Sequence, residues 1–117
     1  MRFAQALENY LERWEERTGI AVEVWALPDG DVPPRVAEAV LATVREAFDN
    51  VERHSRARTA CIAVTVGRRG LRLTISDDGA GAAGLIMRSG LTEVAGTLKI
   101  NSVPGSGTTV SAAVPLP

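Results

Sequence analysis

The segment Leu71-Arg-Leu-Thr-Ile-Ser76, followed at once by Asp77-Asp-Gly-Ala-Gly81, decides how this chain folds. Its first half alternates apolar and polar residues and contains β-branched side chains, which predicts a strand. Its second half is an acidic, glycine-rich turn. A second strand pattern covers residues 60–66, and Gly67-Arg-Arg-Gly70 joins the two patterns as a tight turn. The centre of the chain is therefore predicted to be a β-hairpin that ends in two carboxylates.

Outside this hairpin, apolar residues recur with helical or strand spacing, and the sequence contains no internal repeat. The order of elements is helix, strand, helix and then mostly antiparallel strands. This order predicts an α+β fold, a two-layer α/β sandwich in which helices cover one face of a mixed, mostly antiparallel sheet. The further predicted elements are a helix over 3–18, a strand over 20–25, a long helix over 35–54, a short helix over 87–94, and strands over 96–100 and 108–114.

Composition narrows the class of protein. The 117 residues suit one domain, 1–117, and 45% of them are hydrophobic, as in ordinary globular proteins. The net charge of −1 gives no indication of a nucleic-acid partner. Cys61 is the only cysteine, so no internal disulfide can form, and its apolar surroundings predict a small buried side chain. No apolar run is long enough to span a bilayer, and we expect a cytoplasmic domain.

Polar residues on the second predicted helix suggest a metal–phosphate site. In a continuous helix, Glu46, Asn50 and His54 would form one stripe, with Arg53 beside the last. An amide oxygen from Asn50 would suit Mg²⁺, which prefers oxygen ligands and shares its shell with phosphates. Arg53 and His54 could contact phosphate oxygens, and Glu46 could orient a nucleophile. The same spacing also fits a solvated helix face with ordinary i, i+4 pairs.

The acidic turn suggests a base-binding site. A carboxylate at a strand end, such as Asp77, can accept a hydrogen bond from the amino group of adenine, whereas guanine presents an oxygen there. Gly79 and Gly81 would let the backbone approach a flat base. Thr108, entering a strand within residues 105–110, could support the same carboxylate. Both segments also fit plain alternatives, an ordinary turn and an ordinary hairpin.

The ordered set of motifs resembles the catalytic ATP-binding domain of bacterial sensor histidine kinases, which has the Bergerat-type (GHKL) fold. The similarity is greatest to the nitrate-sensor-like and desiccation-like branch, and it covers nearly the whole chain. The segments that carry it are Thr18-Gly-Ile-Ala-Val22, Pro33-Pro34, Glu46-x-x-x-Asn50-x-x-Arg53-His54, Asp77-x-Gly79-x-Gly81, Gly84-Leu85, Gly96-Thr-Leu-Lys-Ile100 and Pro104-Gly-Ser-Gly-Thr-Thr109.

The resemblance implies ATP and Mg²⁺ as ligands and assigns a role to each matching residue. Glu46 would assist phosphoryl transfer, Asn50 would bind the metal, and Asp77 would bind the adenine amino group with support from Thr108. Gly84 would match the second glycine-rich box. The residues implied to bind nucleotide are Asn50, Arg53, His54, Asp77, Gly79, Gly81, Gly84 and Thr108.

The resemblance also implies partners. The γ-phosphate would pass to a histidine on a separate dimerisation domain and from there to a response regulator. His54 is the only histidine and matches the nucleotide-binding helix, so the chain would be a domain excised from a longer kinase whose parent could be membrane-anchored. The isolated domain is expected to be monomeric, because the dimerising helical hairpin does not match any segment of this chain.

One departure from the family pattern leaves an alternative open. Only Ala82-Ala83 separates Gly81 from Gly84, so the lid that relatives place over the nucleotide is shortened. A short lid excludes less water and makes fewer phosphate contacts. The alternative is a degenerate module that binds nucleotide weakly or not at all and acts through protein interaction. A serine kinase or anti-sigma relative fits less well, because of the Thr18-Gly-Ile and Gly96-Thr-Leu segments.

Overall fold

The computed structural model describes residues 2–79, 90–103 and 105–116, with the backbone alone for residues 54, 55 and 90. The α-helices and strands of this part are α1 (Phe3–Thr18), β1 (Ala21–Ala26), α2 (Pro34–Asn50), β2 (Thr59–Gly67), β3 (Gly70–Asp77), β4 (Thr97–Val103) and β5 (Gly107–Val114). Two short helical segments complete it, a π-turn at Val51–Ser55 and a 3₁₀ turn at Gly90–Val94.

One five-stranded sheet, in the order β1-β2-β3-β5-β4, forms one layer. β1 pairs parallel to β2, and the other three pairs are antiparallel. Period-2 alternation places Ile62, Ile75 and Val110 in register on one face, where all three are buried. The helices cover this face and form the second layer, which confirms the predicted α+β sandwich.

Apolar stripes on the two helices make the core between the layers. Leu7, Leu11 and Trp14 of α1 are buried, as are Val40, Val44 and Phe48 of α2, each set at helical spacing. Trp14 meets Phe48 edge-on, with ring centroids 4.8 Å apart. These contacts fix α1 against α2. α1 ends at Thr18, and the backbone N–H of the capping residue Gly19 donates to the Glu15 carbonyl. α2 begins at Pro34, as the proline pair predicted.

The predicted helix over 35–54 is wrong in its last turn. α2 ends at Asn50, and the chain continues as the π-turn, which Arg56 closes in a left-handed conformation with φ of 53°. In a π-turn each hydrogen bond spans five residues rather than four. The regular stripe Glu46–Asn50–His54 therefore does not continue at α-helical spacing to His54.

Two smaller predictions also need correction. The short helix predicted over 87–94 is a 3₁₀ turn at Gly90–Val94 in its described part, and residues 87–89 lie outside the described residues. Cys61 was predicted to be buried, but it lies half-exposed on the sheet face away from the helices, since its neighbours Ala60 and Ile62 take the core-facing positions. Its thiol donates to Glu23 Oε2 at 3.5 Å. No helix among the described residues is long and apolar enough to cross a membrane.

Candidate functional site

Asp77 is the last residue of β3, on the face that the helices cover. It is partly buried, and its Oδ1 accepts a hydrogen bond of 2.8 Å from the Gly79 N–H. The Thr108 N–H also donates to this carboxylate. Burial raises the pKa of Asp77, the nearby Asp78 charge raises it further, and the two amide bonds oppose the rise. The carboxylate is thus oriented by the backbone and incompletely solvated, so it is placed to accept another hydrogen bond.

Thr108 lies directly opposite Asp77 in the β3–β5 pair. Its side chain is buried, and its hydroxyl contacts the Ser102 hydroxyl at 3.1 Å. Sequence reasoning expected the hydroxyl to support Asp77, whereas the described contact with the carboxylate comes from the backbone amide. The threonine hydroxyl instead links β5 to β4, because Ser102 and Thr108 are also directly paired.

Asn50 ends α2, and its amide nitrogen Nδ2 is buried with no hydrogen-bond partner among the residues that the structure describes. Buried polar atoms of this kind are uncommon in folded proteins and cost free energy unless a ligand or water satisfies them. The same side chain carries an amide oxygen, a donor type that Mg²⁺ accepts. The residue therefore fits the metal–phosphate role that the sequence suggested.

Chain connectivity brings Asn50 and Asp77 to the same end of the molecule. The π-turn follows Asn50 directly and leads within a few residues to the start of β2. There Ala60 pairs with Asp77 across the hairpin. α2 also packs against β3. The Asp77 carboxylate and the Asn50 amide therefore lie at the same end of the fold, where α2 ends and β2 begins.

Comparison with known proteins finds relatives along the whole chain, although no family model matches it. The sensor histidine kinase YxjM of Bacillus subtilis is 29% identical over 120 residues, which make up 95% of this chain and 30% of that kinase. Three further bacterial histidine kinases are 27% to 36% identical over 94% to 96% of the chain. The chain spans about a third of the length of the curated relatives it matches.

Solved structures share the fold. The histidine kinase domain of the blue-light activated EL346 kinase from Erythrobacter litoralis matches 99% of this chain and 62% of its own, with a TM-score of 0.77 at 21% identity. The ATP binding domain of PrrB from Mycobacterium tuberculosis matches 100% of this chain and 96% of its own, with a TM-score of 0.71 at 16% identity. The chain is similar to sensor histidine kinases along almost its whole length. Its fold is that of their ATP-binding domain.

The other predicted site residues of the described part are distributed around the same end of the fold. Glu46 is half-buried one turn before Asn50. Arg53 is exposed in the π-turn, and His54 is in that turn as well. Gly79 is buried just after β3, whereas Gly81 and Gly84 lie outside the described residues, together with the residues predicted to form a shortened lid.

Asp78 is a positioning residue of this domain that sequence reasoning missed. Its Oδ1 accepts hydrogen bonds from the backbone amides of Arg58 at 2.9 Å and Thr59 at 3.0 Å. These bonds tie the end of β3 to the segment that leaves the π-turn. The two amides lower the pKa of Asp78, chiefly that of Thr59. The signal was present in the sequence, since consecutive strand residues point to opposite faces and so two adjacent aspartates cannot serve one ligand in the same way.

We expect Asp78→Ala to lower the free energy of unfolding by about 1–2 kcal/mol, because two backbone donors lose their acceptor. A depressed folded-state pKa stabilises the protein above the unfolded pKa, and this stabilisation disappears as pH falls through the folded value. The variant should therefore be less stable than the parent at neutral pH and equally stable in strong acid. Urea unfolding at several pH values measures this. Asp29→Ala, in an exposed loop, is the matched control. An equal loss of stability in both variants would mean that the two hydrogen bonds to Asp78, here called the Asp78 clamp, do not stabilise the fold.

Proposed function

We propose that this chain is the Mg²⁺–ATP-binding catalytic domain of a two-component sensor histidine kinase. The observation that carries the proposal is the Asp77 carboxylate, oriented by two backbone amides, at the same end of the fold as Asn50, whose buried amide nitrogen has no partner within the described part of the chain. The similarity to histidine kinases over almost the whole chain supports a catalytic ATP-binding module.

Asp77 would select the base. Its carboxylate already accepts from Gly79 and Thr108, and both contacts fix the direction of the remaining lone pairs. An adenine amino group offers the donor that these lone pairs require. Guanine would place an oxygen against a partly desolvated carboxylate, which costs free energy because neither group can donate.

Asn50 and Arg53 would bind the triphosphate side. Among the described residues, no cluster of three or more His, Cys, Asp or Glu side chains could hold a metal ion. Asn50 would thus supply a single amide oxygen to a shell completed by phosphate oxygens and water, which is how Mg²⁺ binds with nucleotides. Bound there, the metal would neutralise charge on the phosphates. Arg53, exposed on the π-turn, is free to extend its guanidinium toward phosphate oxygens.

Glu46 would assist transfer from its place one turn before Asn50, by orienting or deprotonating the attacking nucleophile. We propose that this nucleophile is a histidine on a separate dimerisation domain, which then supplies a response regulator. In this proposal residues 1–117 are one domain of a longer kinase. The degenerate alternative keeps the fold without useful nucleotide affinity.

Calorimetry with ATP, with and without Mg²⁺, tests the proposal. The parent should bind ATP more tightly when Mg²⁺ is present. In Asn50→Ala, the increase in ATP affinity that Mg²⁺ causes should be about tenfold smaller, since one metal ligand is lost. ATP affinity without Mg²⁺ should change little. Asn101→Ala, an exposed amide on β4, is the matched control and should retain the gain.

Two outcomes would count against this assignment. If Asn50→Ala keeps the full magnesium dependence, Asn50 is not the metal ligand. If the parent shows no heat of binding at millimolar ATP although circular dichroism shows it folded, the degenerate module becomes the better description.

A further inference from the structure

A groove between α1 and β1 lies outside the proposed nucleotide site. Its apolar floor consists of Leu11, Val22, Val24 and Leu27, and its rim consists of Glu8, Glu12 and Glu15. It encloses about 190 Å³, below the range of about 300–1,000 Å³ typical of small-molecule sites. A space of this size suits one anchoring side chain of a protein partner better than a free cofactor.

The charged side chains on the rim of the groove are all negative. Glu8, Glu12 and Glu15 stand at i, i+4 and i+7, so they form one stripe about 10 Å long on α1. No Lys or Arg is among the residues that line the groove. Three carboxylates beside an apolar floor attract a partner with positive charges flanking an apolar residue.

The floor of the groove is open at Val24, which is 44% exposed. Val24 is on β1, an edge strand whose register shifts between Val24 and Ala26. Trp25, 63% exposed, does not line the groove, because its indole N–H donates to Glu23 Oε2, which also accepts from the Cys61 thiol on the sheet face away from the helices. The apolar surface that a partner could cover in the groove is therefore that of Val24 and the rest of the floor.

The hydrogen bonding of the edge strand β1 disfavours a partner that would pair with it as a sixth strand. Ala21 donates its amide toward β2, so the Val22 amide points outward, and there it donates to Glu15 Oε2 at 2.5 Å. A partner strand would have to displace this charged acceptor. A partner helix can leave it in place and meet the glutamate stripe at matching spacing.

We propose that this acidic groove binds a basic amphipathic helix of a partner protein. A large apolar side chain of that helix enters the floor, and its Lys or Arg residues pair with Glu8 and Glu12. This function goes beyond ATP binding and does not depend on it.

Fluorescence titration with a synthetic 18-residue Leu/Lys amphipathic helix tests the proposal. The peptide carries a fluorescein label, so its fluorescence anisotropy reports binding directly. We expect the anisotropy to rise on binding, and the affinity to fall as salt rises. Glu8→Lys/Glu12→Lys should weaken binding by about tenfold or more, since attraction becomes repulsion. Glu16→Lys/Asp29→Lys makes the same charge change at exposed positions outside the groove and should weaken it less than about twofold.

Other results would overturn the proposal. Equal weakening in the two double variants would mean that the peptide binds by net charge alone. Binding that survives Val24→Asp would place the peptide elsewhere. Self-association that both Glu8→Lys/Glu12→Lys and Arg68→Glu/Arg69→Glu abolish would identify a second copy of this chain as the occupant. ATP calorimetry on each variant keeps these outcomes separate from the fate of the nucleotide site.

Discussion

Asp77→Asn should weaken ATP binding by about 100-fold. The carboxylate accepts from Gly79 and Thr108 and, in the proposed complex, from the adenine amino group, which makes three donors. An amide of the same shape keeps one oxygen but directs an N–H at one of those donors. An unpaired buried donor costs about 1–3 kcal/mol, and the loss of a charged acceptor adds to it. Calorimetry with ATP and ADP should show the same loss for both nucleotides.

Two controls separate base recognition from general damage. The loss in Asp77→Asn should be the same with and without Mg²⁺, whereas that in Asn50→Ala should require the metal. Asp29→Asn, in an exposed loop, should bind ATP like the parent. Retention of parental ATP affinity by folded Asp77→Asn would remove Asp77 from the site.

The raised pKa of Asp77 gives the same test a pH signature. In the proposed complex adenine binds the ionised carboxylate, so ATP affinity should fall as pH drops through the raised pKa, about tenfold per unit below it. An ordinary aspartate would stay ionised to lower pH. For stability the sign is opposite, since a raised folded-state pKa makes the domain lose stability as pH rises from the unfolded value through the folded one. Asp77→Asn should lack both dependences.

The β-hairpin could be predicted from sequence because local signals agree there. Alternation of apolar residues over 71–76 and the turn at Gly67-Arg-Arg-Gly70 specify two strands and their register, and β2 and β3 pair accordingly. The last turn of α2 could not be predicted in the same way. Val51 is buried and continues the apolar stripe, so nothing in the local pattern distinguishes an α-helix from the π-turn that follows Asn50.

Cys61 shows a second limit of local patterns. The residues around it are apolar on both faces of β2, so periodicity cannot say which set is buried. Which set of side chains is buried depends on which face of the sheet the helices cover, and this is decided by tertiary packing. The same packing leaves β1 at the sheet edge with Trp25 exposed, although its sequence is that of an ordinary strand.

In the candidate site too, local features could be predicted from sequence, whereas contacts between distant residues could not. Spacing and strand-end position predict Asn50 and Asp77 as site residues, because each signal lies within a few residues. The Asp78 clamp joins residues about twenty positions apart, and the acceptor role of Asp77 toward Thr108 joins two strands. Such contacts arise from sheet pairing, which a linear pattern does not display.

Gly107→Ala should be the most destabilising single-methyl change at this end of the sheet. Gly107 has φ of +104°, and a Cβ there would lie 2.1 Å from the backbone carbonyl oxygen of Asp77. β5 would have to move away from β3 at the pair that orients the Asp77 carboxylate. We expect a loss of about 3 kcal/mol or more, and a fall in melting temperature of roughly 10 °C.

Gly105 supplies a matched control, because it also has a positive φ, +81°, but its Cβ would meet nothing within 4 Å. Gly105→Ala tests backbone strain alone and should cost about 1 kcal/mol. The difference between the two variants in urea unfolding measures the steric contact with β3. Because that contact adjoins Asp77, Gly107→Ala should also weaken ATP binding at temperatures where it remains folded, while Gly105→Ala should not. Equal stability and equal ATP affinity in the two variants would mean that β5 can move away from β3 at this end without cost. Asp77 would then not be oriented by its pairing with β5.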